Sequence, residues 1–133
     1  MRRRGAFTLV AVGLLGQTDG PDSAKRKKTN SPNPVEEVIG GFIVAEAGGR
    51  ARGHVITIDV VATARRSGVG SLLMRAAEDR LIVGGCRAVE LETAVDNVSA
   101  LSFYKRHGYS VSRTSPNYYS NGVDALVLEK KLI

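Results

Sequence analysis

One short segment of this chain has the composition of an anion-binding turn. Residues 65–70 have the sequence Arg-Arg-Ser-Gly-Val-Gly and lie between a strand-like run and a helix-like run. Gly68 and Gly70 allow a tight turn and let a ligand approach the main chain. The first N–H groups of the following helix lack internal partners and carry a partial positive charge, which suits a pyrophosphate. A plain tight turn explains the same residues equally well at this point.

Two better-known phosphate motifs do not fit this segment. An NTP-binding P-loop requires a lysine directly after its last glycine, and here Gly70 is followed by Ser71. A dinucleotide fingerprint requires a third glycine, which is also missing. The anion site is therefore a hypothesis that needs support from other residues.

A second set of residues could move protons. Glu90 and Glu92 alternate in a strand-like run, so their side chains point to one side of that strand. Tyr104 follows in a helix-like run. Two solvent-facing carboxylates on an edge strand and a half-buried core tyrosine would have the same pattern. The single cysteine excludes an internal disulfide and a multi-cysteine metal site, and the two histidines lack metal-ligand spacing.

Hydrophobic periodicity predicts the elements that must position these residues. Strands are predicted at 7–12, 38–46, 54–61, 87–93, 109–113 and 123–131, and helices at 68–83 and 97–107. The strand–helix–strand unit in the middle is expected to be parallel, whereas a short turn-rich loop makes the last two strands antiparallel. The predicted fold class is α/β (α+β), with a mixed, mostly antiparallel sheet, a central parallel βαβ unit and helices packed on it.

Length and charge determine the expected domain organisation. The 133 residues suffice for one domain, and seven of the 19 basic residues lie within residues 1–34. We therefore predict an atypical segment 1–34, with one possible strand and a basic Pro/Gly linker, followed by a domain at 35–133. Residues 1–16 also have the charge and apolar run of a signal peptide, but no cleavage pattern follows them. The basic excess belongs to this tail, so we expect no specific nucleic-acid partner.

No membrane partner is expected either, because no apolar run approaches the roughly 20 residues of a membrane-spanning helix.

Several motifs, taken in order, resemble the GNAT superfamily of N-acetyltransferases. That family binds acetyl-CoA with Arg/Gln-x-x-Gly-x-Gly/Ala at a strand-to-helix junction, which Arg65, Gly68 and Gly70 match. A later family segment is matched by Glu92, Asn97, Ala100, Phe103-Tyr104 and Gly108-Tyr109. The sequence further resembles the ribosomal-protein alanine acetyltransferases and other protein N-terminal acetyltransferases. These matches are at Arg113, Asn117-Tyr118-Tyr119, Gly122 and Asp124-Ala125. The match runs from about Val38 to the end of the sequence.

This resemblance implies acetyl-CoA as co-substrate, no metal, and a role for each matched residue. The implied cofactor contacts are Ile58, Asp59 and Val60 along the pantetheine arm, Arg65, Arg66, Ser67, Gly68, Val69, Gly70 and Ser71 at the pyrophosphate, and Asn97 at a helix start. Glu92 would act as general base. Tyr104 would act as general acid, by concerted transfer or with a lowered pKa. Tyr118 and Tyr119 would hold the substrate peptide.

The implied function is transfer of acetyl from acetyl-CoA to a primary amine. The resemblance favours the N-terminal α-amine of a protein, with ribosomal proteins among the candidates, and a cytoplasmic location. A small-amine acetyltransferase and a non-catalytic acyl-CoA-binding remnant stay open as alternatives. The family has a strand, two helices and a further strand before the position of Val38, so the N-terminal region is expected to be short. A homodimer is one way to complete such a fold.

Overall fold

The computed structural model describes residues 5–14, 37–65 and 68–133. Within these ranges the chain forms six strands and two α-helices, with a short 3-10 turn at Ala62–Ala64. In chain order the elements are β1 (Gly5–Leu14), β2 (Glu37–Ala47), β3 (Arg52–Val60), α1 (Val69–Val83), β4 (Ala88–Ala94), α2 (Val98–Arg106), β5 (Ser110–Ser115) and β6 (Ala125–Lys131). Each predicted strand and helix is present, with ends shifted by a few residues. The predicted linker at 17–34 lies outside the described residues.

The six strands form one sheet in the order β1-β2-β3-β4-β6-β5. Only the β3–β4 pair is parallel among these neighbours, and the other four pairs are antiparallel. The parallel pair is the one joined through α1, as a crossover connection requires. The predicted fold class is therefore confirmed, including the parallel βαβ unit at the centre of the sheet.

Helix α1 covers β1, β2 and β3 with a narrow apolar stripe. The stripe consists of Leu73, Met74, Ala77 and Leu81, which are buried at helical spacing. Leu72 belongs to the same apolar pattern in the sequence, yet its side chain is 56% exposed because it lies outside the buried stripe that begins with Leu73 and Met74. The helix stops at Gly84-Gly85, where Gly85 adopts a left-handed conformation with φ 91°.

The two faces of the sheet differ in character. On β4, Val89, Leu91 and Thr93 are buried in the core, so the alternating Glu90 and Glu92 project to the opposite face. That opposite face also carries apolar side chains that are largely exposed, on β1, β2 and β3. The charged side chains of β4 thus lie on the face away from α1.

One buried carboxylate joins α1 to the end of the sheet. The hydroxyl of Tyr109 donates to Glu78 Oε2 at 2.8 Å, and Lys130 Nζ donates to Glu78 Oε1 at 2.9 Å. Gly108, directly before Tyr109, has φ 90°, a conformation that favours glycine. The Gly-Tyr pair noted in the sequence therefore has a structural role in this fold.

Candidate active site

The parallel pairing of β3 with β4 is short and ends inside both strands. It comprises three residue pairs, the last of which joins His54 to Glu90. Beyond that point β3 remains paired with β2, and β4 remains paired with β6. A gap consequently opens between the carboxyl-terminal halves of two parallel strands, the usual position of a ligand in an open sheet.

A β-bulge accompanies the opening of this gap. In the β2–β3 pair, Val44 lies opposite Thr57 and Ala45 lies opposite Val55, which leaves Ile56 as an extra residue. A bulge bends its strand and increases the local twist, and this one lies just beyond His54, the last residue of β3 that pairs with β4. Ile58, Asp59 and Val60, the residues expected along a pantetheine arm, follow this bend. Their main-chain groups on the β4 side are not engaged in the β3–β4 ladder.

A surface groove lies where β3 ends and α1 begins. It is lined by Val60, Arg65, Gly68, Gly70, Ser71, Phe103 and Arg106. Among the residues that the structure describes, the lining includes two arginines and no acidic side chain, and the amino terminus of α1 opens into it. This combination fits a diphosphate, because cationic side chains and free main-chain N–H groups both bind phosphate oxygens.

The two glycines of the turn serve different purposes. Gly68 has φ 87°, and a Cβ added to it would meet no atom within 4 Å, so the turn is open on that side. A Cβ on Gly70 would lie 3.2 Å from Cε1 of Phe103, so this glycine allows α1 and α2 to approach each other closely. The first glycine therefore shapes the turn, and the second allows close packing of the two helices.

We expect Gly68→Ala to weaken acetyl-CoA binding by about tenfold, equivalent to about 1.4 kcal/mol. Alanine is strained in the left-handed region, so the turn would relax and move the N–H groups at the start of α1. Titration calorimetry measures the change. Gly85→Ala is the matched control, since Gly85 has the same conformation and open surroundings at the other end of α1. Equal affinities in the two variants would contradict a diphosphate site at this turn.

Other predicted cofactor residues have partners within the protein. Arg65 Nε donates to the carbonyl oxygen of Val60 at 3.1 Å, which ties the turn to the end of β3 and occupies one main-chain acceptor. Ser71 Oγ lies 2.9 Å from Nε2 of His107. Burial chiefly lowers the pKa of His107, so its ring favours the neutral form that can orient this hydroxyl. Asn97 caps α2 by accepting the N–H of Ala100 at 3.2 Å.

Arg66 and Ser67 lie outside the described residues. Val69 is the first residue of α1. Phe103 and Arg106 line the groove, although neither was among the residues expected to contact the cofactor. Their three-residue spacing on one face of α2 is the signal that could have identified them.

The two carboxylates on β4 have different partners. Glu90 accepts from Arg52 Nη2 at 3.1 Å and lies 3.9 Å from Arg113 Nη2. Glu92 lies just past the end of the parallel pairing, and its Oε1 is 2.7 Å from Nε2 of His54. No motif in the sequence indicates a role for His54. Its position opposite β4 could have been inferred only from the register of two strands that are distant in sequence.

The tyrosines expected at the site are close enough to interact electrostatically. Tyr104 is 8% exposed, and its ring packs edge-on against Phe103 and Tyr109. Burial raises the pKa of Tyr104, with a smaller contribution from Tyr119. Burial also raises the pKa of Tyr119, where Tyr118 and then Glu92 contribute as well. The alternative of a lowered Tyr104 pKa is therefore wrong, because burial disfavours the phenolate.

Among the described residues, no group of three His, Cys, Asp or Glu side chains is placed to hold a metal ion. No helix in the described ranges is long and apolar enough to cross a membrane.

Comparison with known proteins identifies the family. Residues 28–109 match the acetyltransferase (GNAT) family. This chain belongs to the GNAT family. It therefore carries an acetyl-CoA-dependent N-acetyltransferase domain, and the resemblance noted in the sequence is confirmed.

Individual GNAT relatives agree with this assignment. A protein of Methanocaldococcus jannaschii named as an N-acetyltransferase is 30% identical over 132 residues, which cover 85% of each chain. N-alpha-acetyltransferase 30 of Homo sapiens is 38% identical over 78 residues, covering 59% of this chain and 22% of that protein. The solved NatC complex bound to Gag peptide and CoA has a TM-score of 0.68 at 29% identity, covering 80% of this chain and 67% of that chain.

Proposed function

We propose that this GNAT domain transfers acetyl from acetyl-CoA to the N-terminal α-amine of a protein. The observation that carries the proposal is the opening of the β3–β4 pair immediately before Glu92. Relatives named as N-alpha-acetyltransferases, and the NatC structure with peptide and CoA, support the choice of acceptor. Ribosomal proteins as substrates, a cytoplasmic location and a homodimer stay predictions.

The residues around the gap and the groove fit the co-substrate. The main chain of residues 58–60 would hold the pantetheine arm, and the turn at Gly68 with Arg65 and Arg106 would hold the diphosphate. When bound, acetyl-CoA supplies a thioester whose acetyl carbon accepts the amine. A main-chain N–H of β3 near Val60 would stabilise the negative charge that develops on the thioester oxygen.

Two side chains would handle protons. A chain-terminal amine has a pKa of about 7.7–8.0, so much of it is protonated at neutral pH and must lose a proton before it attacks. Glu92 is the base for that step, directly or through a water molecule. Tyr104 stays protonated because burial raises its pKa, so it donates to the leaving sulfur as negative charge builds there. Proton transfer from Tyr104 is therefore concerted with the departure of the sulfur.

The loop between β5 and β6 would hold the acceptor peptide. The N–H of Asn117 donates to Asp124 Oδ1 at 2.9 Å, and Gly122 N–H donates to the Tyr119 carbonyl at 2.9 Å. These bonds hold Tyr118 and Tyr119 with ring centroids 4.9 Å apart in an edge-on arrangement. A preorganised loop positions a peptide at a lower entropic cost than a loose one.

We expect Tyr104→Phe to lower kcat by about 100-fold or more, in the range of general acid catalysis. Affinity for acetyl-CoA should be retained, because the ring keeps its packing against Phe103 and Tyr109. Steady-state thiol release and calorimetry give the two values. Tyr109→Phe is the matched control, since it removes a buried hydroxyl bonded to Glu78 and should reduce stability without a comparable loss of kcat. A Tyr104→Phe enzyme with normal kcat would contradict the assigned acid.

Mass spectrometry tests the acceptor. Three acceptors are incubated with acetyl-CoA: a peptide with a free N-terminus and no lysine, a peptide with a blocked N-terminus and one lysine, and a small primary amine. Acetylation of the first peptide alone is the expected result. Preference for the small amine would favour a small-amine acetyltransferase. Calorimetric binding of acetyl-CoA without turnover on any acceptor would favour the non-catalytic remnant.

A further inference from the structure

We propose that His107 positions the hydroxyl of Ser71 for the diphosphate of acetyl-CoA and takes up a proton when the cofactor binds, so that affinity rises as the pH falls. The inference rests on the proposed diphosphate site at the start of α1 and adds a proton-linked residue beside it. It is carried by the contact between Ser71 Oγ and Nε2 of His107, which lie 2.9 Å apart.

The two residues meet beside the groove that would hold the diphosphate. Ser71 lies in the first turn of α1 and lines that groove, whereas His107 directly follows the last residue of α2. The first N–H groups of a helix lack partners within the helix and attract anions, so the hydroxyl of Ser71 lies at the anion-binding end of α1. The fold therefore brings an imidazole within hydrogen-bond distance of a groove-lining hydroxyl.

The direction of this hydrogen bond decides what the hydroxyl can do for an anion. A serine hydroxyl has one proton to donate and two lone pairs that accept. If Nε2 of His107 is unprotonated, Ser71 donates to the ring and has no proton left for a phosphate oxygen. If Nε2 carries a proton, the ring donates to Ser71 and the hydroxyl proton is free to bind the diphosphate. Because an ionised diphosphate only accepts hydrogen bonds, its binding favours the state in which His107 donates.

The packing of α2 against α1 holds His107 in place. Its ring centroid lies 4.6 Å from that of Phe103, one helical turn earlier on α2. Phe103 in turn contacts the main chain of α1 at Gly70, where an added Cβ would lie 3.2 Å from Cε1 of the phenyl ring. The N–H of His107 also donates to the carbonyl oxygens of Phe103 and Tyr104. These contacts fix the position of the imidazole next to Ser71.

The surroundings of His107 favour a neutral ring before the cofactor binds. Burial lowers its pKa most, the carboxylate of Glu78 raises it, and three cationic side chains lower it again. These cations belong to each element that faces the ring: Lys130 on β6, Arg75 on α1 and Arg106 on α2. The partial negative charge at the end of α2 favours protonation but does not reverse the direction.

A bound diphosphate would change this balance. It places negative charge on the Ser71 side of the ring, and a nearby opposite charge favours the protonated form of an imidazole. The pKa of His107 should therefore be higher in the complex than in the free protein. Binding then takes up a proton wherever the pH lies between these two values. Affinity should be greatest below the pKa of the free protein, fall as the pH rises through this interval, and be constant above the pKa of the complex.

The test measures the affinity of the full chain for dephospho-CoA by calorimetry between about pH 5.5 and about pH 8.5. This probe keeps the diphosphate but lacks the 3′-phosphate of CoA, a monoester whose own pKa of about 6 would mask that of a histidine. We expect the affinity at the acidic end to exceed that at the basic end by about tenfold, the effect of a pKa difference of about one unit.

Two variants assign this pH dependence to one residue. His107→Gln keeps an N–H that can bond to Ser71 but cannot take up a proton, so its affinity should not change with pH. His54→Gln is the matched control, because it removes the other histidine of the sequence and should keep the pH dependence of the parent. A His107→Gln protein with the full pH dependence of the parent would overturn the inference.

A double-mutant cycle at about pH 8, where His107 is neutral, tests the positioning of the hydroxyl. His107→Leu removes the donor to Ser71, and Ser71→Ala removes the hydroxyl itself. Each should weaken dephospho-CoA binding by about three- to tenfold. The double variant should bind no more weakly than Ser71→Ala alone, since the donor acts only through the hydroxyl. Losses that multiply in the double variant would show independent contributions and refute the positioning role.

NMR provides a readout that needs neither turnover nor a change in affinity. The sequence contains two histidines, so their imidazole signals can be assigned by substitution. The pKa of His107 should be higher in protein saturated with dephospho-CoA than in the free protein. Equal values in the two states would overturn the inference, because a ring that does not respond to the diphosphate cannot link pH to binding.

The outcomes separate this inference from the proposed acetyl transfer. Acetylation of the peptide, together with an affinity for dephospho-CoA that does not change with pH, would refute proton uptake by His107 and leave the transfer intact. Failure of the protein to bind either CoA or dephospho-CoA at any pH would refute the diphosphate site, and both claims would fall.

Discussion

Glu92→Gln is expected to lower kcat for peptide acetylation by about 10²–10⁴-fold, the contribution usually made by a general base. Glutamine has nearly the same shape as glutamate and can still form a hydrogen bond with His54. The gap between β3 and β4 should therefore keep its geometry. The amide cannot accept the ammonium proton. Thiol-release kinetics at saturating acetyl-CoA measure the loss, and calorimetry should give an acetyl-CoA affinity within about twofold of the parent.

Glu90→Gln provides the matched control for this prediction. It removes the same charge from the same face of β4, two residues away, and breaks the pairs with Arg52 and Arg113. Because partly exposed ion pairs contribute only about 0–1 kcal/mol, folding should be little affected. We expect kcat to be retained. Equal losses in the two variants would mean that general negative charge on this face matters, rather than a base at position 92.

Gly41→Ala is expected to destabilise the fold by about 1–3 kcal/mol and to weaken acetyl-CoA binding in the fraction that remains folded. A Cβ at Gly41 would lie 2.6 Å from the carbonyl oxygen of Asp59 and 3.1 Å from Cα of Val60. These are main-chain atoms, so they cannot rotate away as the end of a side chain could. Relief of the clash must shift the last residues of β3, which border the gap.

Two measurements and one control check this expectation. Urea unfolding gives the loss of stability, and calorimetry on the folded protein gives the affinity for acetyl-CoA. Gly49→Ala places the same methyl group where no atom lies within 4 Å, so both values should stay near those of the parent. A stable Gly41→Ala protein with normal affinity would show that the end of β3 tolerates displacement and that binding does not depend on its position.

The elements of this fold are predictable because their signals are local. Alternation in residues 54–61 and the helical spacing of residues 68–83 depend on neighbours that are at most a few positions apart. The glycines at 84–85 mark the end of α1 for an equally local reason. The parallel arrangement of β3 and β4 then follows from the crossover alone, and the structure agrees.

The site is less predictable because it depends on register and burial. Three parallel residue pairs place His54 against the strand that carries Glu92, and no spacing in the sequence encodes that number. The same holds for Phe103, which meets Gly70 only after α1 and α2 pack together. Motif order could indicate Tyr104, but the direction of its pKa shift depends on how deeply the ring is buried. Nonlocal packing decided each of these points.

The short parallel pairing also divides the sheet into two blocks. The two blocks are coupled to each other more weakly than the strands are within each block. Strands β1, β2 and β3 form one block and β4, β6 and β5 the other, and each block is held internally by long antiparallel ladders. Between them the ladder is confined to three residues of each strand, with the Arg52 side chain bridging to Glu90 and Glu129. Amide protons on the gap side of Ile58 to Val60 should therefore exchange with deuterium faster than those inside either block. A molecule bound in the gap would supply hydrogen-bond partners for these main-chain groups. Binding should therefore slow the exchange of these amide protons and also raise the melting temperature.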